Sequence, residues 1–267
     1  MKISIVTISY NQAQFLNECI DSVLSQGYLD IEYIIVDPGS TDGSREIIKS
    51  YGSKVVSIFE PDAGPADGLN KGFNLATGDI FCYLNSDDLF LPQAFDSAIN
   101  YFISHPNSDV ICGHSHIINE KSNLRRYVYS DSFGLKEAAY GAVTILQPST
   151  FFRKEAFLKS GGFNIDNRSN WDGELIIDMA LSGARIDVID VFLSCYRIHN
   201  ESITGSARMA EAHVSHSLKM FEKIMGRTFL PVDKWWRYYY LLKKHIFNPK
   251  ATIERLHKGP IFGVVKN

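Results

Sequence analysis

In the first half of the chain, segments with apolar residues at helical spacing alternate with short strand-like runs. Apolar residues at helical spacing predict a helix over 15–24, and further helices are predicted from about 40–42, over 65–76 and after Pro92. Between these segments, short β-branched runs predict strands at 3–8, 33–36, 55–59, 80–84 and 110–112. Because strands alternate with helices, the pattern predicts an α/β fold whose central sheet is mostly parallel and flanked by helices.

The second half of the chain is less regular. Residues 114–146 are polar and predict a surface excursion without regular structure. A helix near 173–182 and a strand near 186–189 follow, and from Ser206 onward the pattern is helical only. We therefore expect a main domain over 1–204 and a C-terminal helical extension over 205–267.

Charge changes this picture at the same boundary. The net charge of −3 and an apolar fraction of 45% are ordinary for a globular protein and exclude a disordered or collagen-like chain. Residues 1–204 hold 15 Lys/Arg and 26 Asp/Glu, whereas residues 206–267 hold 12 and 4. An acidic body and a basic extension predict different roles for the two parts and give no reason to expect a nucleic-acid partner.

The four cysteines, the chain start and the longest apolar runs bear on the compartment. Cys19, Cys82, Cys112 and Cys195 are far apart and show no metal-site spacing, so we expect reduced core thiols. The first residues show no signal-peptide pattern, and no apolar run approaches the roughly 18 residues of a membrane span. A cytoplasmic protein is the resulting prediction, with peripheral contact at the inner membrane face as a possible addition.

Polar residues directly after predicted strands are the first candidates for a site. Neither GxxxxGK[ST] nor GxGxxG occurs, so phosphate would have to be bound in another way. Asp37 follows the second strand, in the crevice where open α/β sheets bind ligands, and can accept hydrogen bonds from a base or ribose. Ser9 and Tyr10 follow the first strand, where Tyr10 could stack on a nucleobase. Thr41 and Asp42 are better explained as caps of the next helix.

A second polar cluster, residues 85–88, follows the strand at 80–84. Asp87 and Asp88 are adjacent carboxylates, and their mutual repulsion is relieved if a divalent cation shared with phosphate oxygens binds there. The alternative is a turn in which Asp88 caps the helix after Pro92.

Two further candidates lie beyond residue 170. Asp172 precedes a helical stretch and is either its N-cap or a general base, since a carboxylate is ionised at neutral pH and can accept a hydroxyl proton. His199 follows an apolar strand and could complete the coordination of an ion such as Mn²⁺, although a lone histidine is more often a polar surface or capping residue than a ligand.

Taken in order, these segments resemble the family 2 glycosyltransferases, which have the GT-A fold. The resemblance covers about residues 2–204, roughly three quarters of the chain. It rests on the order and spacing of short motifs at 6–11, 36–43, 67–72, 76–79, 84–88, 147–153 and 161–163, and on Arg197 and His199.

The resemblance implies an inverting, metal-dependent transferase that uses a nucleotide-diphosphate sugar, most plausibly a UDP-sugar, and Mn²⁺ or Mg²⁺. Its acceptor would be a hydroxyl of a glycan or lipid-linked glycan, in cell-surface polysaccharide synthesis. Asp172 corresponds to the catalytic base. The expected nucleotide-sugar ligands are Ser9, Tyr10, Asp37, Asp67, Asn85 and Ser86, and the expected metal ligands are Asp87 and His199, with Asp88 as an additional candidate.

Several positions depart from the family pattern. Asn85 replaces the first acid of the Asp-x-Asp element, and Pro38 follows Asp37 where a small or acidic residue is usual. The Gln-x-x-Arg-Trp motif of processive synthases is absent, which favours transfer of a single sugar. The acceptor is expected to contact residues 114–146 and 164–178, where the chain is most individual.

Two other functions remain as alternatives at this point. A sugar nucleotidyltransferase also combines an α/β sheet, a metal and a nucleotide, but its Gly-rich triphosphate loop is missing here. A non-catalytic carbohydrate-binding protein with a decayed site would be consistent with Asn85.

Aromatic and basic residues are mixed in the extension, over 233–247. The pattern predicts either peripheral contact with an anionic membrane or a helix that packs its aromatic residues on the body and leaves its lysines in solvent.

Overall fold

The structure is a computed structural model that describes residues 1–199 and 210–259, with side chains from 216 onward in the second range. Its strands are Ile3–Ile8 (β1), Ile31–Val36 (β2), Val56–Ile58 (β3), Ile80–Asn85 (β4), Leu89–Phe90 (β5), Val110–Ile118 (β6), Leu124–Val128 (β7), Thr150–Arg153 (β8) and Ile186–Arg197 (β9). Its α-helices are Ala13–Leu24 (α1), Ser44–Ser50 (α2), Pro65–Leu75 (α3), Ala94–Ser104 (α4), Leu135–Ala139 (α5), Lys154–Ser160 (α6), Trp171–Leu181 (α7), Ala210–Met225 (α8), Asp233–Phe247 (α9) and Pro249–Lys258 (α10).

The strands form one sheet in the order β3-β2-β1-β4-β8-β6-β9-β5, with β7 paired to β6. The pairings among β3, β2, β1 and β4 are all parallel, whereas β8 and β5 run antiparallel to their neighbours. The predicted α/β sheet flanked by helices is therefore confirmed. Parallel pairing prevails in its N-terminal half, and the other half is mixed.

Helices cover both faces of the sheet. One apolar core joins α1 and α4 to the sheet through side chains such as Leu16, Ile20 and Phe95. The other core joins α3, α6 and α7 to the opposite face around Phe73 and Phe81, whose rings stack at 4.9 Å. Burial on both faces explains why the parallel strands are continuous apolar runs in the sequence. The four cysteines are free and buried, as predicted.

Helix α3 lies unusually close to the sheet at Gly72. A Cβ atom at this position would come within 2.4 Å of Val6 Cγ1, so a larger residue would push the helix away from β1. The close contact matters for function, because the start of α3 borders the edge of the sheet where β1 and β2 end.

The prediction that residues 114–146 are irregular is wrong. This segment contains the end of β6, all of β7 and α5. Hydropathy gave no sign of these elements because several of the buried residues in the segment are polar. Ser115, for example, is buried and shares a hydroxyl cluster with Ser149 and Ser194, at 2.9 and 2.7 Å.

The C-terminal helices pack on the body through ion pairs between basic and acidic residues. The predicted domain boundary at 204/205 lies outside the described residues. No helix within 1–199 and 210–259 is long and apolar enough to cross a membrane. The pairs that join the extension to the body include Lys223–Glu174 at 3.0 Å, Lys223–Asp178 at 2.5 Å, Lys243–Glu137 at 2.7 Å, Lys244–Asp131 at 2.9 Å and Lys250–Asp190 at 2.7 Å.

Candidate active site

Three parallel strands end side by side at one edge of the sheet. Ile8, the last residue of β1, is in register with Val36 of β2 and with Asn85 of β4. The residues that follow these strands therefore lie next to each other, as the sequence predicted. We call this region the carboxyl edge; it comprises residues 9–12, 37–45 and 85–88.

Asp37 is completely buried at the carboxyl edge. Its Oδ1 accepts hydrogen bonds from the backbone N–H groups of Gly39 and Ser40, at 3.0 and 2.8 Å, and from Arg45 Nε at 3.1 Å. Its Oδ2 has no hydrogen-bond partner among the described residues. The loop thus orients the carboxylate through one oxygen and leaves the other for a ligand, since a buried acceptor without a partner is costly.

The first two strand-end loops hold each other in place. Asn11, at φ 52°, donates its backbone N–H to Ser40 Oγ at 2.8 Å, and its Oδ1 accepts from the Thr41 N–H at 3.0 Å. Tyr10 is consequently displayed with most of its ring exposed, and Ser9 Oγ is buried without a partner in the described chain. Both positions suit the nucleotide contacts predicted for them.

Asp42 contacts the starts of two helices. Its Oδ1 accepts the backbone N–H of Ser44 at 3.0 Å, at the start of α2 as predicted, and its Oδ2 accepts the backbone N–H of Ala13 at 2.8 Å, at the start of α1. The sequence could not show the second bond, because α1 follows the neighbouring loop. The bond adds to the rigidity of the carboxyl edge.

The loop before α3 forms a further side of the site. Asp67 accepts the Ala63 N–H at 2.9 Å and pairs with Lys71 at 3.1 Å; the backbone bond, followed by Lys71, lowers the pKa of Asp67. Burial, and to a smaller degree the charges of Asp67 and Asp37, raise the pKa of Asp62. Asp62, which was not among the predicted site residues, therefore lies near both predicted nucleotide ligands.

Asp87 and His199 come together although they are far apart in sequence. His199 Nε2 lies 3.0 Å from Asp87 Oδ2, and the imidazole packs on Phe15 with ring centroids 5.0 Å apart. Pairing of β5 with β9, which places Leu89 opposite Cys195, brings the two segments together. The sequence proposed both residues as metal ligands but could not show that they lie next to each other.

Arg197 holds the Asp87–Asp88 turn. Its backbone N–H donates to Asp88 Oδ1 at 2.8 Å, and its buried guanidinium donates from Nε to the carbonyl oxygen of Asp87 at 2.6 Å and from Nη2 to Glu18 at 2.8 Å. Burial, followed by the charge of Asp87, raises the pKa of Asp88 well above its usual value. The alternative in which Asp88 caps the next helix is wrong, because Gln93 occupies the N-cap of α4.

A divalent ion fits Asp87 and His199, with its remaining ligands coming from elsewhere. Among the described residues no cluster of three or more His, Cys, Asp or Glu side chains could hold a metal by itself. A carboxylate and an imidazole at 3.0 Å suit Mn²⁺, and ions of this kind commonly take few protein ligands together with substrate phosphates.

Asn85 is matched to Gln147 and Tyr83. Asn85 Nδ2 donates to Gln147 Oε1 at 3.3 Å, and Gln147 Nε2 donates to the carbonyl oxygen of Tyr83 at 2.8 Å. The second bond fixes the orientation of the Gln147 amide, so that its oxygen faces residue 85. An amide at position 85 satisfies that oxygen, whereas an aspartate would be repelled by it.

Asp172 lines a cavity of about 410 Å³ that also reaches Tyr83 and Gln147. Asn170 is the N-cap of α7 and Asp172 lies inside its first turn, so the N-cap alternative for Asp172 is wrong. The cavity walls come from both segments predicted to meet the acceptor and from the extension, the latter missing from the prediction. The lining residues include Phe133, Ile145, Ile176, His216, Met220 and Lys244.

Tyr83 links the cavity to the carboxyl edge, a role that was not predicted from the sequence. Its hydroxyl is buried without a hydrogen-bond partner in the described part of the chain. Burial raises its pKa well above the usual value, and the charges of Asp172 and Asp88 raise it further. The hydroxyl therefore stays protonated between the two acidic groups and is available as a donor. A single hydroxyl in an otherwise apolar strand was the available signal.

The family model for glycosyl transferase family 2 matches residues 4–161. An uncharacterised glycosyltransferase of Nostoc sp. is 32% identical over 225 residues, covering 79% of this chain and 69% of the relative. The chain belongs to glycosyl transferase family 2. A second uncharacterised glycosyltransferase, from Rickettsia typhi, is 34% identical over 165 residues, which cover 57% of this chain. The chain spans about half the length of that relative.

Solved structures agree with the family assignment at the level of the fold. TarS from S. aureus, in complex with UDP-GlcNAc, has a TM-score of 0.70 at 19% identity and covers 97% of this chain and 78% of its own. The mannosyltransferase PcManGT from Pyrobaculum calidifontis, in complex with GDP-Man and Mn²⁺, has a TM-score of 0.64 at 18% identity, covering 96% and 73%.

These matches confirm the predicted family, the GT-A fold and, at the level of the family, the prediction of a transferase enzyme. The matched segment of family 2 ends at residue 161. The roles of Asp172 and His199 consequently rest on the geometry described above and stay predictions.

Proposed function

We propose that this chain transfers a single sugar from a nucleotide-diphosphate sugar, with a UDP-sugar as first candidate, to a hydroxyl of a glycan or lipid-linked glycan. The reaction is inverting and needs a divalent metal, and a role in cell-surface polysaccharide synthesis fits it. One observation carries the proposal. Six buried polar atoms without a partner in the described chain cluster where the parallel strands end, on Ser9, Gln12, Asp37, Tyr83, Asn85 and Asp88.

The donor nucleotide binds along the carboxyl edge. Asp37 Oδ2 accepts from the base or ribose, Ser9 Oγ adds a second polar contact, and Tyr10 supplies an exposed ring for stacking. Asp67 borders the same place, and Asn85 and Ser86 face the sugar-phosphate. That TarS was solved with UDP-GlcNAc and PcManGT with GDP-Man supports a nucleotide sugar as the ligand class.

Asp87 and His199 are the residues that would hold the metal. When bound, Mn²⁺ or Mg²⁺ supplies positive charge to the departing diphosphate. Arg197 keeps the Asp87 turn fixed through the Asp87 carbonyl and the Asp88 carboxylate. The chain's own contribution is therefore a rigid turn that presents one carboxylate toward the donor.

Asp172 acts as general base for the acceptor. The cavity beside it is large enough to admit a sugar, and its apolar walls are interrupted by polar side chains that include Gln147, Asn170 and Lys244. Asp172 removes the proton of the acceptor hydroxyl as that oxygen attacks the anomeric carbon from the face opposite the diphosphate. A single displacement of this kind inverts the anomeric configuration.

We also propose that residues 1–204 form the catalytic domain and 205–267 an extension that completes the acceptor cavity. His216, Met220 and Lys244 are the cavity residues that the extension contributes. Lys244 is held there by Asp131, at 2.9 Å.

A transfer assay with a panel of UDP-, GDP- and dTDP-sugars, run with Mn²⁺ and with excess EDTA, tests the proposal. We expect release of the nucleoside diphosphate with at least one donor and its loss in EDTA. Release of pyrophosphate from a nucleoside triphosphate and sugar phosphate would instead identify a nucleotidyltransferase. Glycan binding without turnover of any donor would identify a non-catalytic protein.

A further inference from the structure

The outward face of α9 is apolar and points away from the rest of the protein. Trp235, Leu242 and Ile246 are 76, 62 and 64% exposed, and Tyr238 and Tyr239 are more than half exposed. Their spacing of three, four, seven and eleven residues from Trp235 places them on one side of a helix. We call these five residues the α9 stripe. Ile253 and Leu256 of α10 are exposed as well.

The inward face of α9 carries the groups that normally face water. Asp233 is buried against Arg227 and Tyr140, Lys244 pairs with Asp131, and Lys243 pairs with Glu137. Among its aromatic residues, Tyr240 packs inward and stacks on Tyr140 at 5.1 Å, whereas Trp235, Tyr238 and Tyr239 are turned away from the body. Because polar contacts already attach α9 to the body, the stripe is not needed for that attachment.

Exposed cations lie in the first turns of α9, close to Trp235 in sequence, and the stripe itself contains no acid. Lys234 and Arg237 are exposed and form no ion pair with another described residue, and no Asp or Glu occurs from 234 to 253. A symmetric contact between two copies would bring these cations together with no acid on the stripe to offset them. An anionic surface offsets them directly.

We propose that the α9 stripe docks this protein on the headgroup region of an anionic lipid bilayer. Trp and Tyr, which have an apolar ring and a polar tip, favour the membrane–water interface, and Leu242 and Ile246 supply apolar depth between them. Lys234 and Arg237 bind the anionic headgroups at the margin. The helix lies on the membrane and does not span it, which agrees with its length of 15 residues.

Co-sedimentation of the full chain with vesicles tests this docking. The vesicles are phosphatidylcholine alone or phosphatidylcholine with 30 mol% phosphatidylglycerol. We expect binding to the anionic vesicles, weakening at high salt, and little binding to the neutral ones. The triple variant Trp235→Ser, Leu242→Ser, Ile246→Ser should lose about tenfold or more of the partition coefficient.

The matched control removes equally exposed apolar residues elsewhere, with Leu29→Ser, Ile103→Ser and Leu158→Ser, which are 95, 63 and 62% exposed. It should bind anionic vesicles like the wild type. The pair Lys234→Glu, Arg237→Glu leaves the stripe intact and should lose binding to anionic vesicles, so the test holds even if the triple variant folds poorly. Circular dichroism and thermal unfolding report the folding of each variant.

Three results would overturn the proposal. The first is a full chain that stays in the supernatant with both vesicle types, and the second is binding that neither the stripe variant nor the charge variant weakens. The third is a dimer in light scattering that the stripe variant converts to a monomer, which would make this face a contact between copies. Binding does not depend on the donor, so it can succeed or fail independently of the proposed transferase activity.

Discussion

The two ends of the same parallel strands differ in whether their polar groups have hydrogen-bond partners within the protein. At the amino end, Glu32 accepts from Lys2 Nζ at 3.0 Å, Ser4 Oγ at 2.5 Å, the Thr77 N–H at 2.7 Å and Thr77 Oγ1 at 2.9 Å. Ser4 Oγ also accepts the N–H of Gly78 at 2.9 Å. At the carboxyl edge, several oxygens that are more deeply buried than those of Glu32 accept nothing from the described chain.

This difference separates stability from function within one sheet. A network in which every hydrogen-bonding group has a partner stabilises the pairing of the strands. A buried acceptor without a partner destabilises the folded state, and no contact within the protein offsets that cost. The carboxyl edge is rigid all the same, because Asp42, Arg45 and Arg197 bind its loops. We conclude that this edge is prepared for a ligand, and substitutions at the two ends should have different consequences.

The largest effect is expected from Asp172→Asn. The variant keeps the shape of the side chain but removes the base, so turnover should fall by about 10³-fold while donor affinity stays near that of the wild type. Transfer kinetics and calorimetry on the same preparation measure both quantities. Glu155→Gln, which changes an exposed acid outside both segments expected to contact the acceptor, serves as control. Turnover at the wild-type rate in Asp172→Asn would exclude it as the base.

Asp87→Ala should act on binding. With this carboxylate removed, His199 alone remains of the proposed metal pair, and metal-dependent donor affinity should fall by about 100-fold. Calorimetric titration with a UDP-sugar in Mn²⁺ and in EDTA measures the metal-dependent part. Asp30→Ala, at an exposed position directly before β2 and thus at the opposite end of that strand from the carboxyl edge, should leave it unchanged. If Asp87→Ala binds donor with the wild-type metal dependence, the ion is held elsewhere.

A smaller loss is expected from Asn85→Asp, although it restores the family's usual acid. The new carboxylate would face Gln147 Oε1 and lie two residues from Asp87, so donor affinity should fall about tenfold. In Asn85→Ala, which removes the amide without adding charge, donor affinity should fall by less. Titration of the same donor compares the two variants. Tighter donor binding by Asn85→Asp would show that the amide pairing does not govern this position.

At the opposite end of the strands, Glu32→Gln should change stability and leave activity per folded molecule unaltered. Burial by itself raises the pKa of Glu32, but the hydrogen bonds from Ser4, Thr77 and Lys2 outweigh it and lower the pKa from 4.5 to about 2. The ionised carboxylate therefore stabilises the fold above pH 4.5, and this contribution is lost as the pH falls from 4.5 toward 2.

Urea unfolding measures the size of this contribution. The variant should be less stable by about 1–3 kcal/mol at pH 7, with a difference that shrinks at pH 3. A constant difference at both pH values would mean that the charge of Glu32 contributes nothing, and a change in turnover would mean that the two ends are coupled.

Much of the first half of the fold could be predicted from the sequence. The β1 prediction matches the structure at both ends, and the α3 prediction differs by one residue, because both elements have clean periodicity and clear boundaries. The failures are in elements whose interior is polar. Strands β6 and β9 are longer than predicted because residues such as Ser115, His114 and Ser194 are buried in hydrogen bonds that hydropathy cannot indicate.

The site was predictable where it follows a strand and unpredictable where it depends on packing between distant segments. Asp37 and Asp87 are readable from their positions after apolar strands. The contact of Asp87 with His199 depends on the β5–β9 pairing, and β5 was not predicted because two residues carry no periodic signal. The partnership of Asn85 with Gln147 spans 62 residues and likewise has no local signature.

A crystal structure of the chain with a UDP-sugar and Mn²⁺ tests the central claim most directly. We predict nucleotide density at the carboxyl edge, with the base or ribose on Asp37 Oδ2, the ion bound by Asp87 and His199, and the sugar directed toward Asp172. Nucleotide bound at another place, with the oxygens of Ser9, Asp37 and Asn85 still lacking a partner, would contradict the account.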